Sequence, residues 1–198
     1  MASKTKKPKK AKNRSKAKAN KKKDYTLYYV GAGILGLIAI PIIINALRFN
    51  NAPGEFYRSQ GNAHVSLEEE VPEYNSNPPT SGPHTGNLTS WGSYDYVVPE
   101  RTLIHNLEDG GVILYYPLGN EEENQAEIER LEAALEAAEA ETGQRYRHIV
   151  IAPRTDLSAP YVLTAWTRKL ELDTLDQEQI TKFIDTYEGI DNHVAGTG

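Results

Sequence analysis

The chain contains no cysteine. That absence removes disulfides, thiolate metal sites, a cysteine nucleophile and an acylated lipoprotein cysteine. Met1 is the only methionine, so a soft thioether copper site is excluded as well. No Asp, Glu, Lys or Arg occurs over the 23 positions from Tyr25 to Leu47. No internal repeat is present, and no Gly-x-Ser-x-Gly sequence marks a hydrolase nucleophile.

The charge that is present is segregated. Residues 1–24 carry 11 Lys and Arg14 against Asp24, a balance of +11, whereas residues 49–198 carry 26 acidic against 9 basic side chains, a balance of −17. The first segment lacks apolar periodicity and reads as a disordered basic tail. A basic arm can bind nucleic acid. This one abuts an apolar span, which favours a topogenic tail lying on anionic lipid.

Tyr25–Leu47 is long enough to cross a bilayer core of about 30 Å at about 1.5 Å per residue. The expectation is a single transmembrane helix, with the N-terminus cytoplasmic behind Lys21, Lys22 and Lys23 and the main domain extracytoplasmic. A cleaved signal peptide would have a shorter apolar core and a small-x-small site after it, which this chain lacks. Gly31-Ala32-Gly33-Ile34-Leu35-Gly36 matches the dinucleotide fingerprint but sits inside the span, without the strand that the fingerprint requires.

Residues 48–77 read as a polar linker, 78–189 as an extracytoplasmic α+β domain and 190–198 as a flexible tail. Val112–Tyr116, His148–Ala152 and Tyr161–Trp166 read as strands, the last two as an antiparallel hairpin. Asn120 with Glu123 has capping-box spacing for a helix over about 121–142, stopped by Gly143. Asp176 caps a last helix with Ile180, Phe183, Ile184 and Tyr187 on one face, ended by Gly189. The fold expected is a small mixed sheet with two helices packed on one face.

Two islands carry the candidate chemistry. One is Pro78-Pro79-Thr80-Ser81-Gly82-Pro83-His84, the other His105-Asn106-Leu107-Glu108-Asp109-Gly110-Gly111. Proline fixes φ and glycine permits positive φ, so both read as turns of defined shape. His84 and His105 with a carboxylate at Glu108 or Asp109 make a nitrogen and oxygen set suited to Zn²⁺, Fe²⁺ or Mn²⁺. The expectation is two imidazoles within about 3–5 Å, and rings beyond about 8 Å would end it. Asn106 and Tyr94 are candidates to brace the ligands. The competing reading makes both histidines hydrogen-bonded pins of their turns. A Ser81–His84–Asp109 triad has no motif behind it. His64 and His193 lie in polar segments and read as bystanders, while His148 falls at a sheet edge.

The islands resemble a bacterial, membrane-anchored family known as domain of unknown function 3105. The matching residues are the first island, Trp91, Tyr94, His105-Asn106-Leu107-Glu108, Gly110-Gly111-Val112, Ala152-Pro153-Arg154 and Thr164-Ala165-Trp166 with Arg168. The resemblance covers about residues 70–188. It implies an extracytoplasmic domain behind one membrane span and brings no activity. The family pattern reads His-Asn-Leu-Glu-His-Gly-Gly, so Asp109 stands where a histidine is usual, and Thr167 stands where glycine is usual. Two functional classes stay open: a tethered domain that binds a divalent metal, and a tethered structural or interaction module with an acidic surface.

Overall fold

The computed structural model describes residues 26–50 and 52–193. The basic tail, Tyr25 and residues 194–198 lie outside this range. The described residues fall into two units, 26–50 and 52–193.

In the first unit, α1 spans Thr26–Asn50 over 25 residues, with Pro41 inside it. Side chains of α1 are described only between Tyr29 and Ile43. Within the described residues no helix is long and apolar enough to cross a membrane.

The second unit is α+β. Its strands are β1 Glu55–Phe56, β2 Gly92–Ser93, β3 Val112–Pro117, β4 Ile149–Arg154, β5 Tyr161–Ala165 and β6 Arg168–Leu172; its helices are α2 Glu100–Glu108, α3 Glu121–Thr142 and α4 Gln177–Tyr187. The strands form one mixed sheet in the order β1-β6-β5-β3-β4-β2.

The sequence Val112-Ile113-Leu114-Tyr115-Tyr116 is apolar on both faces, which suits a central strand covered from both sides. Val112, Leu114 and Tyr116 face α3 and α4 in a core with Leu131, Ile180 and Phe183. Ile113 and Tyr115 face Leu103 and Leu107 of α2, with Trp91 and Tyr94 at its margin. Helices therefore pack on both faces of the sheet. The one-face arrangement expected from the sequence lacks α2, a helix of 9 residues whose end the sequence suggests as a turn.

The expected hairpin of β4 with β5 does not form. β4 pairs with β3 in parallel, and β5 pairs with the other edge of β3 antiparallel. The α3 crossover brings β4 beside β3 in parallel. β2 occupies the outer edge of β4, so the next strand must find the free edge of β3. The real hairpin is β5–β6. Its second strand reads Arg168-Lys169-Leu170-Glu171-Leu172, and the charged positions hide it.

Caps follow the sequence. The Asn120 side chain accepts from the Glu123 N–H while the Glu123 carboxylate accepts from the Asn120 N–H, and Gly143 closes α3 at φ 70°. The Asp176 side chain accepts from the Gln179 N–H at 3.1 Å.

From Pro53 onward the stretch expected as a linker is built into this unit. β1 pairs with β6, and the Tyr187 hydroxyl donates to the Pro53 carbonyl at 2.7 Å. Polarity misled the reading, because this segment binds through backbone and amide groups rather than apolar side chains.

The β5–β6 turn holds Thr167 at φ 61°. The Thr167 N–H donates to Thr80 O and the Thr167 carbonyl accepts from Tyr57 N, both at 2.9 Å, which holds the turn in that shape. A β-branched residue there costs about 1–2 kcal/mol, and glycine removes that cost while losing up to about 1 kcal/mol of chain entropy. Thr167→Gly is expected to raise stability by about 0.5–1 kcal/mol in urea unfolding. A lowered midpoint would show that the threonine side chain outweighs its backbone strain.

Candidate metal centre

The centre is built on the last turn of α2. Pro99 precedes the helix and Glu100 sits in its first turn, where a carboxylate suits the helix dipole. His105 and Glu108, three apart, emerge on a common face away from the sheet. What the sequence suggested as a turn is the end of this helix. Gly110, at φ 80°, and Gly111 close it, the Gly111 N–H donating to Asn106 O at 2.8 Å. A Cβ on Gly111 would lie 2.5 Å from that oxygen and 2.7 Å from Trp91 Cζ3, so only glycine fits.

A second support is a bridge between two extended segments, His64 pairing with His84 in parallel. The Val65 N–H donates to His84 O at 2.8 Å and the His84 N–H to Ala63 O at 3.0 Å. Gly82, at φ 126°, lets the Tyr74 ring lie against the backbone, since a Cβ would meet it at 2.9 Å. The Tyr74 hydroxyl donates to Pro83 O at 2.6 Å.

These supports bring three imidazoles together. The ring centroids of His64 and His84 are 5.0 Å apart, those of His64 and His105 5.0 Å, and those of His84 and His105 5.2 Å. Ligand atoms of His64, His84, His105 and Glu108 all lie within 4.8 Å of one another. Metal bonds of about 2.0–2.1 Å would draw such atoms to about 3.4 Å apart, a contraction within reach of side-chain rotation.

Glu108 is the hub. Its side chain is 1 % exposed. Asn62 Nδ2 donates to Oε1 at 2.6 Å. Oε2 lies 3.0 Å from His84 Nε2, 3.4 Å from His64 Nε2 and 3.6 Å from His193 Nε2. Burial pushes its carboxyl up. The Asn62 hydrogen bond and the His84 and His193 imidazoles outweigh that and hold it below the usual carboxylate value.

The tautomers follow from the other ring nitrogens. His84 Nδ1 lies 2.7 Å from Gly82 O, and His105 Nδ1 lies 2.9 Å from Thr85 O. A carbonyl only accepts, so each Nδ1 carries hydrogen. In a neutral ring Nε2 then presents a lone pair. Burial, the leading influence, lowers the pKa of His84, which favours the neutral ring with its Nε2 lone pair facing the carboxylate. A cation bound between the two atoms, or a proton on Nε2, holds them at 3.0 Å.

Of the residues expected at the site, His84, His105 and Glu108 converge. Asp109 belongs to an adjoining group with His105 and His193, its Oδ1 3.6 Å from His193 Nδ1 and its Oδ2 3.8 Å from His105 Nε2. The bystander readings of His64 and His193 are corrected. His64 is brought in by its bridge to His84. His193 arrives because the chain after α4 crosses the end of α2, with the Gly189 N–H donating to Gly110 O and the Asn192 N–H to Glu108 O, both at 2.8 Å. No periodicity marks either residue; the scarcity of histidine, five in the chain, is the one signal they carry.

Asn106 and Tyr94 brace the loop rather than the ligands. Asn106 holds Thr89 through both its amide atoms, and the Tyr94 hydroxyl accepts from Thr89 and donates to Ser90 O. That loop carries Thr85, the partner of His105. Ser81 Oγ accepts from the Gln60 N–H, which gives it a structural role. His148 pairs with Glu188 at 2.9 Å at the start of β4.

A family model described as a protein of unknown function, DUF3105, matches residues 64–196, a region that begins at His64 and takes in all five histidines. Searches of the curated proteins and of the solved structures found no match. With two thirds of its length inside that model, including every residue of the His/Glu cluster, the chain belongs to the DUF3105 family of proteins of unknown function.

Proposed function

We propose that this protein binds one divalent metal ion through His64, His84, His105 and Glu108. The observation that carries the reading is the pair of Nδ1–H to carbonyl bonds on His84 and His105. Metal-bound histidines are oriented in this way, the outer nitrogen donating so that the inner one keeps its lone pair. Three imidazoles and one carboxylate suit Zn²⁺, Fe²⁺ or Mn²⁺. Elemental analysis of the full chain, purified without chelator, is expected to find about one such ion per chain. A chain that holds none, and takes up none when Zn²⁺, Fe²⁺ and Mn²⁺ are each supplied, would leave the structural or interaction module as the reading.

The same proposal places the domain outside a membrane, on a single span with the N-terminus cytoplasmic. Its support is the uncharged run from Tyr25 to Leu47 behind eleven lysines. The lysine-rich tail then lies against anionic lipid. Protease added to intact cells or spheroplasts should degrade residues 49–198 and spare the tail. Protection of the large domain would overturn the topology without touching the metal site.

A further inference from the structure

The group formed by His105, Asp109 and His193 adjoins the buried set and shares one residue with it. His105 has one nitrogen to offer, because its Nδ1 is committed to Thr85 O. A single lone pair serves a single ion, so the two groups draw on the same atom and cannot both be complete. Charge points the same way. Glu108 and Asp109 together match one divalent cation, and a second ion a few ångströms away would stand against the first with little to screen it.

On the side of α2 and the chain after α4 exposure rises outward from Glu108, although His64 of the inner set is itself 47 % exposed. The side chains of His84 and Glu108 are 0 % and 1 % exposed, that of Asp109 27 % and that of His193 44 %. The outer residues border an open cleft of about 270 Å³ lined by Trp91, Asp109, His148, Asp191 and His193. Asp191 is 2.7 Å from His193 Nδ1, which adds a carboxylate at the mouth.

Resting on the metal reading above, we propose that Asp109 and His193 form an outer position through which the ion passes to and from the buried set, with the His105 Nε2 lone pair handed from one position to the other. Carboxylates at the mouth draw the hydrated ion, and the imidazole replaces its first waters before it reaches the enclosed ligands. His64 faces solvent from a different segment and offers the competing path.

The test uses the full chain in detergent, stripped of metal, with Co²⁺ alone as the probe. The d–d absorption of bound Co²⁺ reports both stoichiometry and rate. One Co²⁺ per wild-type chain is expected. H193A and D109N should each slow binding and release together by about tenfold, because a residue on the path alters both directions equally. Two ions per chain would overturn the shared-atom argument. Variants that load at the wild-type rate would show that the ion enters elsewhere. A variant that loses affinity through faster release alone would make His193 a ligand of the buried ion instead. Wild-type chain that takes up no Co²⁺, Zn²⁺, Fe²⁺ or Mn²⁺ would defeat the metal reading itself, an outcome distinct from the others.

Discussion

Alanine at His84 or at His105 is expected to abolish metal uptake, and Glu108→Gln to weaken it by about a hundredfold or more, since even residues that only orient ligands are worth about 10–100-fold. Each histidine supplies a nitrogen whose direction is already fixed by a backbone carbonyl, Gly82 O for one and Thr85 O for the other. Glu108→Gln keeps the volume and one oxygen but removes the charge around which His64, His84 and His193 are arranged. Its amide would also set N–H hydrogens against either Asn62 or the imidazoles. His64→Ala should weaken binding less, because that ring is 47 % exposed and water can take its place. Equilibrium dialysis against Zn²⁺, with circular dichroism to establish folding, measures all four. A folded His105→Ala chain that keeps wild-type affinity would remove the proposed centre.

Phe183→Ala is expected to cost about 3–5 kcal/mol of stability, the range for truncating a buried large side chain. Phe183 is fully buried in the core of Leu114, Leu163, Leu131 and Ile180. Its ring meets Tyr187 edge to face at 4.8 Å and lies where a Cβ on Gly54 would come within 2.8 Å of it. The substitution therefore leaves a hole between α4, the sheet and the segment leading into β1, three elements that cannot all move inward. A measured loss below roughly 1 kcal/mol would mean that this face of α4 is not the packed one.

The strands β3, β4 and β5 and the helices α3 and α4 are legible because their signals are local. Asn120, Glu123 and Gly143 mark α3, and Asp176 with Ile180, Phe183 and Ile184 marks α4. Pairing was not legible, because β4 chooses β3 through a crossover helix and β5 is then left the other edge, a decision made by geometry rather than by any residue in the loop at 155–160. The site divides likewise. His84 and His105 stand in segments stiffened by proline or glycine, which draws attention to them. His64, Asn62 and His193 take their places through backbone bonds to distant partners, and a polar sequence does not announce its hydrogen-bond partners. Asp109 shows the limit of spacing as a guide: one residue from Glu108, it turns to a different group.

His64, His84 and His105 are 20 and 21 residues apart in the chain, and three elements of structure must be in place before their nitrogens meet. An unfolded chain with such spacing offers an ion one or two ligands at a time, so the ion distinguishes folded from unfolded chain almost completely. Its binding free energy is then returned as folding stability with little lost to the unfolded state. Each loop so closed is of the length for which a covalent bridge stabilises by about 3 kcal/mol. In a chain with no cysteine, an ion at Glu108 would take the place of the cross-links that small domains otherwise make from sulfur, reversible by a chelator rather than by a reductant.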